Sequence, residues 1–483
     1  MKISSLLLAI TIIACSFSIS GQSEKNKYEL FKKETQSAFS SFRDKCNKKY
    51  TIFLYNAWSW YEGSAPLPIP EEDNPIPPKP YIENNNSPVT VNPVKNSPIE
   101  KKPQPKPVEP IRETPSPFDN CFEFGFYGLT CKIRMPQCAN LTLTDVSPNS
   151  IANGWEQLCN ENLNNTIRDC LETRIRYNLC DWAYLMLIDN LSRKFCKNEN
   201  GATLLMAFLY CQSGYQMRLA ADGDKLFMLF ASRNLIYNKG FFELDGIKFY
   251  PFGEPSNAIT ICNAAFEGET PLSLSINQEQ LLGDSMSQSR EIKSEQYNDI
   301  IISSQVPENL ISFFDKYPTA LLNDDIMSRW AMYANCPLSY KAKEKIYPAL
   351  KKSIENCSKL DAANRLLNWV QTGFVYEYDD KVWGQDRAFF AEETLYYPYC
   401  DCEDRSILFS RLVRDLLDLD IALIYYPGHL ATAVCFNEDV YGDAMMIDNR
   451  KFIVCDPTYI GAPVGAQMPN LEYDKAQAII LNR

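Results

Sequence analysis

Apolar residues recur at two different periods along this chain, and the changes of period mark its elements. From Glu24 to Glu62, Phe31, Phe39, Phe42, Cys46, Tyr50, Phe53 and Trp58 fall at mostly three- and four-residue steps among Lys, Glu and Ser, which predicts an amphipathic helix or helix pair over 22–63. Its apolar stripe needs a partner, either the rest of the chain or another copy. Further on, ENGATLLMAFLY (199–210) and CEDRSILFSRLV (402–413) read as helices, and each is followed by alternating segments that read as strands.

These two stretches align with each other. MRLAADGDKLFMLF (217–230) lies above IALIYYPGHLATAV (421–434), and LDGIKFY (244–250) above IDNRKFI (447–453). The offset is 203 residues for the helices and the last pair and 204 for the middle pair, so a slip of one residue reconciles all three. The expectation is an α+β protein with a C-terminal domain in which a helix packs on an antiparallel sheet, preceded by a degenerate copy. In that alignment Glu199, Lys225 and Gly253 stand where the second copy has Cys402, His429 and Asp456.

Other segments set the limits. MKISSLLLAITIIACSFSISGQ reads as an export signal over 1–21, too short in its apolar run to span a bilayer comfortably. Two processing routes fit: lipidation at Cys15, or cleavage before Gln22. Either predicts an exported protein of the periplasm, cell envelope or exterior. Between Pro66 and Pro117 lie 16 of the 30 prolines, so 64–118 is read as an extended linker. Beyond it come an α+β domain over 119–270, a connector over 271–335 and a second domain over 336–483.

Composition narrows the chemistry. With 48 Lys and Arg against 60 Asp and Glu, the net charge of −12 and the lack of a long basic run argue against a nucleic-acid partner. The 17 cysteines, read in an exported chain, suggest several disulfides alongside buried thiols. His429 is the single histidine, which excludes any His-rich metal site. A zinc set of Cys400, Cys402, Cys435 and Cys455 has a spacing unlike common zinc knuckles.

Cys402 stands at a predicted helix start, where free backbone donors and the helix dipole favour a thiolate. Asp401, Glu403 and Asp404 beside it are read as caps, with Arg405 as counter-charge. His429 opens a strand 27 residues on, and Asp456 ends another after a further 27, before Pro457. A nucleophile, a base and an orienting carboxylate are the roles that acyl transfer needs.

Asp401-Cys402 with Asp404, then His429, then Asp456-Pro457-Thr458, together with the lead-in FVYEYDDKVWGQDRAFFAEETL (374–395), resemble the transglutaminase-like superfamily of papain-type cysteine enzymes in an exported bacterial form. The resemblance covers roughly 360–460; it departs from the family at Cys400, where Gly is usual. It implies a Cys402–His429–Asp456 triad acting through a thioester on a peptide or protein substrate, as a peptidase or amidase before a cross-linking transferase. It implies no cofactor or metal. It also implies an oxyanion pocket formed by the Cys402 backbone N–H and a donor from the lead-in, with Trp383 and Gln385 as candidates. The alternative is a catalytically idle envelope scaffold, associating through its N-terminal helix.

Overall fold

The computed structural model describes residues 43–70, 75–83, 86–95, 106, 121–159, 162–323 and 325–482. The expected signal segment, Cys15 and the amphipathic pattern before residue 43 lie outside the described residues. The protein is mixed α+β, and none of its described helices is long and apolar enough to cross a membrane.

Residues 43–56 are helical. Cys46, Tyr50 and Leu54, at four-residue steps, are all buried, and Tyr50 stacks at 4.8 Å from the Trp155 ring and 5.5 Å from Phe266. The stripe therefore packs into the chain's own first half. The helix ends sooner than its pattern suggested, because WSWYE alternates: Trp58–Glu62 is a strand antiparallel to Ala258–Cys262.

Two sheets carry the rest. In the first, the order is Trp58–Glu62, Ala258–Cys262, Met217–Asp222, Lys225–Ala231, Ile247–Phe252, Phe242–Leu244. In the second it is Thr90–Val91, Ala444–Ile447, Arg450–Cys455, His429–Cys435, Asp420–Tyr426, Gln477–Ile480, Val94–Lys95. Without the strands supplied by residues 58–95, both sheets have one wiring. A helix leads into a hairpin, a second hairpin adds beside its second strand, and a last strand returns beside its first.

The registers also agree. The helices Glu199–Gln212 and Cys402–Leu412 begin one residue after Asn198 and Asp401. Asp222 pairs with Lys225, as Tyr426 pairs with His429. Leu229 pairs with Pro251, as Ala433 pairs with Val454. The second hairpins turn at Asp245-Gly246 and Asp448-Asn449, all four at positive φ, the geometry of a tight two-residue hairpin turn.

Each sheet curls until one short stretch of N-terminal chain touches both its edges. Residues 58–64 pair with Ala258–Cys262 and then bridge at Ser64 to Phe241; residues 90–95 pair with Ala444–Met445 and then with Gln477–Ala478. Six extended residues reach about 20 Å, which bounds the gap between the second sheet's edges. The described part of 64–118 is thus no free spacer. Its prolines keep it extended, and the sheet edges accept hydrogen bonds from several of its N–H groups.

Both helices lie on their sheets as core elements. Ile407, Leu408 and Leu412 are fully buried, each contributing about 1.5–3 kcal/mol relative to exposure. The connector is ordered too: Ala320–Leu321 pairs with Leu235–Ile236 of the first half, and the hairpin Arg290–Lys293 with Ile301–Ser304 packs on the second.

Candidate functional site

The chain reaches Cys402 along Tyr399–Cys400, paired in parallel with Val375–Tyr376. Asp401 is extended, and the helix starts at Cys402. Asp404 caps it: one carboxylate oxygen accepts the Asp401 N–H (3.3 Å) and the other the Phe389 N–H (2.8 Å), tying the helix start to the lead-in. Two expectations need correction. Glu403 does not cap; its carboxylate accepts from the Cys402 thiol at 3.3 Å. Arg405 is no counter-charge to these acids, because its guanidinium reaches the carbonyls of Gln371 (3.0 Å), Phe374 (2.7 Å) and Pro457 (3.4 Å).

One turn below Cys402, the Ser406 hydroxyl donates to the Leu430 carbonyl at 2.9 Å. Leu430 follows His429, so the helix start is clamped to the strand start that carries the imidazole. His429 Nε2 lies 2.9 Å from Asp456 Oδ2. The other carboxylate oxygen accepts the N–H groups of Thr458 (2.8 Å) and Tyr459 (3.2 Å), a turn that Pro457 pre-sets. With Nε2–H donating to Asp456 Oδ2, Nδ1 is left as the basic nitrogen. That atom is buried and has no hydrogen-bond partner among the described residues. Relative exposures are 3% for Cys402, 0% for His429 and 1% for Asp456: the site is closed.

The Asp456 turn is held from a distance. Gln371 Nε2 donates to the carbonyls of Asp456 (3.0 Å), Tyr459 (2.8 Å) and Ala462 (3.1 Å), and its oxygen accepts from Gly461 N–H (3.1 Å). Arg405 adds its bond to Pro457. Neither role was legible, since nothing in QTGF announces partners some 90 residues away.

Around the thiol the field is acidic. Oxygens of Asp379, Asp386 and Glu403 lie within 4.8 Å of one another, as do those of Asp379, Asp401 and Asp404; these are the oxygens that could hold a cation. Burial, and then Glu403, push Asp379 up to about 8 and Asp386 up to about 7, although Arg329 at 3.3 Å pulls the latter down. Burial, then Asp379 and Glu403, hold Asp404 well above the carboxylate range. Acids that keep protons near neutrality oppose a thiolate less than their number suggests. Tyr376, beside Cys400 in the ladder, stays protonated through burial and then through the charges of Cys402, Asp401 and Glu403. It is a half-buried phenol paired with Cys400, two residues before the thiol, and sequence reasoning missed it.

The two oxyanion candidates go elsewhere. Trp383 packs with Phe389 (5.7 Å) and Tyr397 (4.9 Å) under the Arg387 guanidinium (4.6 Å), and Gln385 is exposed in the bend that follows. The four thiols of the zinc reading have separate neighbours: Cys400 the Val375 carbonyl, Cys402 Glu403, Cys435 Arg450, and Cys455 the Ile453 carbonyl. Every described cysteine is a free thiol, so the expected disulfides are not formed among them.

At the matching place in the first half, Glu199 pairs with Arg193 at the surface. Asn200 donates to the Asp224 carbonyl (2.8 Å) and accepts from Leu226 N–H (2.9 Å), stitching the helix start to the hairpin. Lys225 is exposed, and Gly253 has a φ of +106°. Comparison with family models, curated proteins and solved structures gives no match to this chain.

Proposed function

We propose that the second half is an exported transglutaminase-like cysteine enzyme acting on peptide or carboxamide bonds, and that the first half is its degenerate copy. The observation that carries this is the buried His429–Asp456 pair, with Nδ1 left for a proton, beneath the helix that starts at Cys402. His429 Nδ1 takes the thiol proton while Sγ bonds to the substrate carbonyl carbon. The Cys402 backbone N–H and the Tyr376 hydroxyl meet the oxyanion. The carbon–nitrogen bond then breaks, His429 returns the proton to the departing amine, and a thioester remains. Water attacks that thioester in a peptidase or amidase, our first reading, and a primary amine attacks it in a transferase. Asp456 holds the ring's tautomer and charge.

The test is alkylation of Cys402 in the full chain, mapped by mass spectrometry, with and without His429→Ala. The proposal expects the substitution to slow labelling near neutral pH; equal rates in both proteins contradict it. A glutamine-bearing peptide supplied with a labelled primary amine then separates hydrolysis from transfer. The closed state of the site favours one second reading, a binding scaffold whose triad is idle, and that reading expects no turnover and no His429 dependence.

A further inference from the structure

Described parts of the proline-rich stretch expected to be a spacer meet the residue before His429 and the turn after Asp456, and Pro70 reaches the acid cluster that includes Glu403. The Pro70 carbonyl accepts from Arg329 (2.9 Å), which also pairs with Asp386, a neighbour of Glu403 and so of the thiol. Ile76 N–H donates to the carbonyl of Gly428, the residue before His429, at 2.8 Å. Lys79–Pro80 then lies parallel to Tyr459–Ile460, just after Asp456, with Tyr81 N–H donating to the Ile460 carbonyl (2.8 Å) and Ile82 N–H to the Tyr459 hydroxyl (3.2 Å). The Tyr81 and Tyr459 rings meet edge to face at 5.4 Å.

Prolines at 77, 78 and 80 leave only four N–H groups in residues 76–82, and three of them donate to the rim of the triad. Such a chain is pre-extended, so little conformational entropy opposes its docking. One seven-residue stretch thus meets both the residue before His429 and the turn that follows Asp456.

Resting on the function proposed above, we infer that residues 76–82 occupy the substrate cleft of this site in cis. The ladder offered by Gly428, Tyr459 and Ile460 binds an extended, proline-containing peptide, and the enzyme stays closed until the strap is displaced. Main-chain addition to an exposed edge is an established mode of peptide capture. The substrate class follows: an extended segment, recognised mainly through its backbone, whose carbonyl lies over Cys402.

The experiment uses the full chain with Ile76→Pro and Tyr81→Pro together, which removes two of the strap's donors, and separately Tyr81→Ser. Hydrogen exchange over 76–82 reports release, and silence of the core thiol Cys455 to alkylation reports an intact fold. Release should speed Cys402 alkylation about tenfold or more. Excess peptide PIPPKPYI added in trans should slow it again, while a scrambled peptide should not. Release with unchanged alkylation overturns the inference, as does rapid labelling of Cys402 in the unaltered chain. The two proposals fail separately: fast labelling of the released protein that ignores His429→Ala leaves the strap as a cover and removes the triad, whereas fast, His429-dependent labelling of the unaltered chain removes only the strap.

Discussion

The two halves differ less in fold than in what stands at three positions. Both have a helix leading into two hairpins and a returning strand, with the same strand order, the same pairings at Asp222–Lys225 and Tyr426–His429, and the same Asp-led tight turn. In the second half the helix starts at Cys402, and the strand start clamped to that helix carries a buried imidazole. In the first, Glu199 and Lys225 point to solvent, and Asn200 closes the seam between helix and hairpin. Each half is held by its own buried helix and ladder, which the side chains at these three positions do not supply. The second half has buried titratable groups where the first has glycine, solvated charge and amide.

Substitution should expose that asymmetry. In the strap-released chain Cys402→Ala abolishes turnover, a loss of more than about 10³-fold, whereas Glu199→Ala at the matching position leaves turnover unchanged; steady-state assay of both variants checks this. Asp456→Asn frees the ring to adopt the wrong tautomer and lowers kcat by about 10²–10⁴-fold while KM holds, and Gly253→Ala has no effect on either constant.

Gln371→Ala removes the four bonds that fix residues 456–462. It lowers kcat and costs about 1–3 kcal/mol in denaturant unfolding, since buried partners are left unpaired.

The acids give the second half a strong pH signature. Asp379, Asp386, Glu392 and Glu393 are raised, chiefly by burial, to about 8, 7, 7 and 7, so the folded protein binds protons more tightly than the unfolded chain does. Their contribution is fully present below pH 4 and is lost as pH rises from there towards 8, with a slope of up to about 1.4 kcal/mol per pH unit for each proton. Hydrogen exchange of the Cys402–Leu412 helix should therefore quicken between pH 6 and 8, and Asp379→Asn should flatten that rise. The smallest effect is Asn200→Ala, which costs about 1 kcal/mol of stability and leaves catalysis alone.

Much of this organisation could be read from the chain. Local periodicity marked both helices and hairpins, and the near-constant offset matched Cys402, His429 and Asp456 to Glu199, Lys225 and Gly253, the same equivalence the two registers give. The one-residue slip has a structural source. After Leu412 the helix widens into a π-helical turn, Val413–Leu417, whose i to i+5 bonds take up one residue more than an α turn.

What stayed hidden depends on contacts far apart in sequence. Proline content announced an extended chain over 64–118, but not that Ile76 would meet Gly428. DDKVWGQD showed carboxylates ahead of the nucleophile, but not that Asp379 and Asp386 would converge on Glu403. Trp383 was an attractive donor by position, yet three aromatic and cationic neighbours hold it away from the thiol.

The central claim is that Cys402 and His429 form one proton-sharing unit. Its most direct test is the pH profile of Cys402 alkylation in the strap-released chain, with and without His429→Ala. The account predicts two macroscopic steps in the parent, because sharing a proton couples thiol and imidazole, and a single step in the variant. The same single step in both proteins would contradict it.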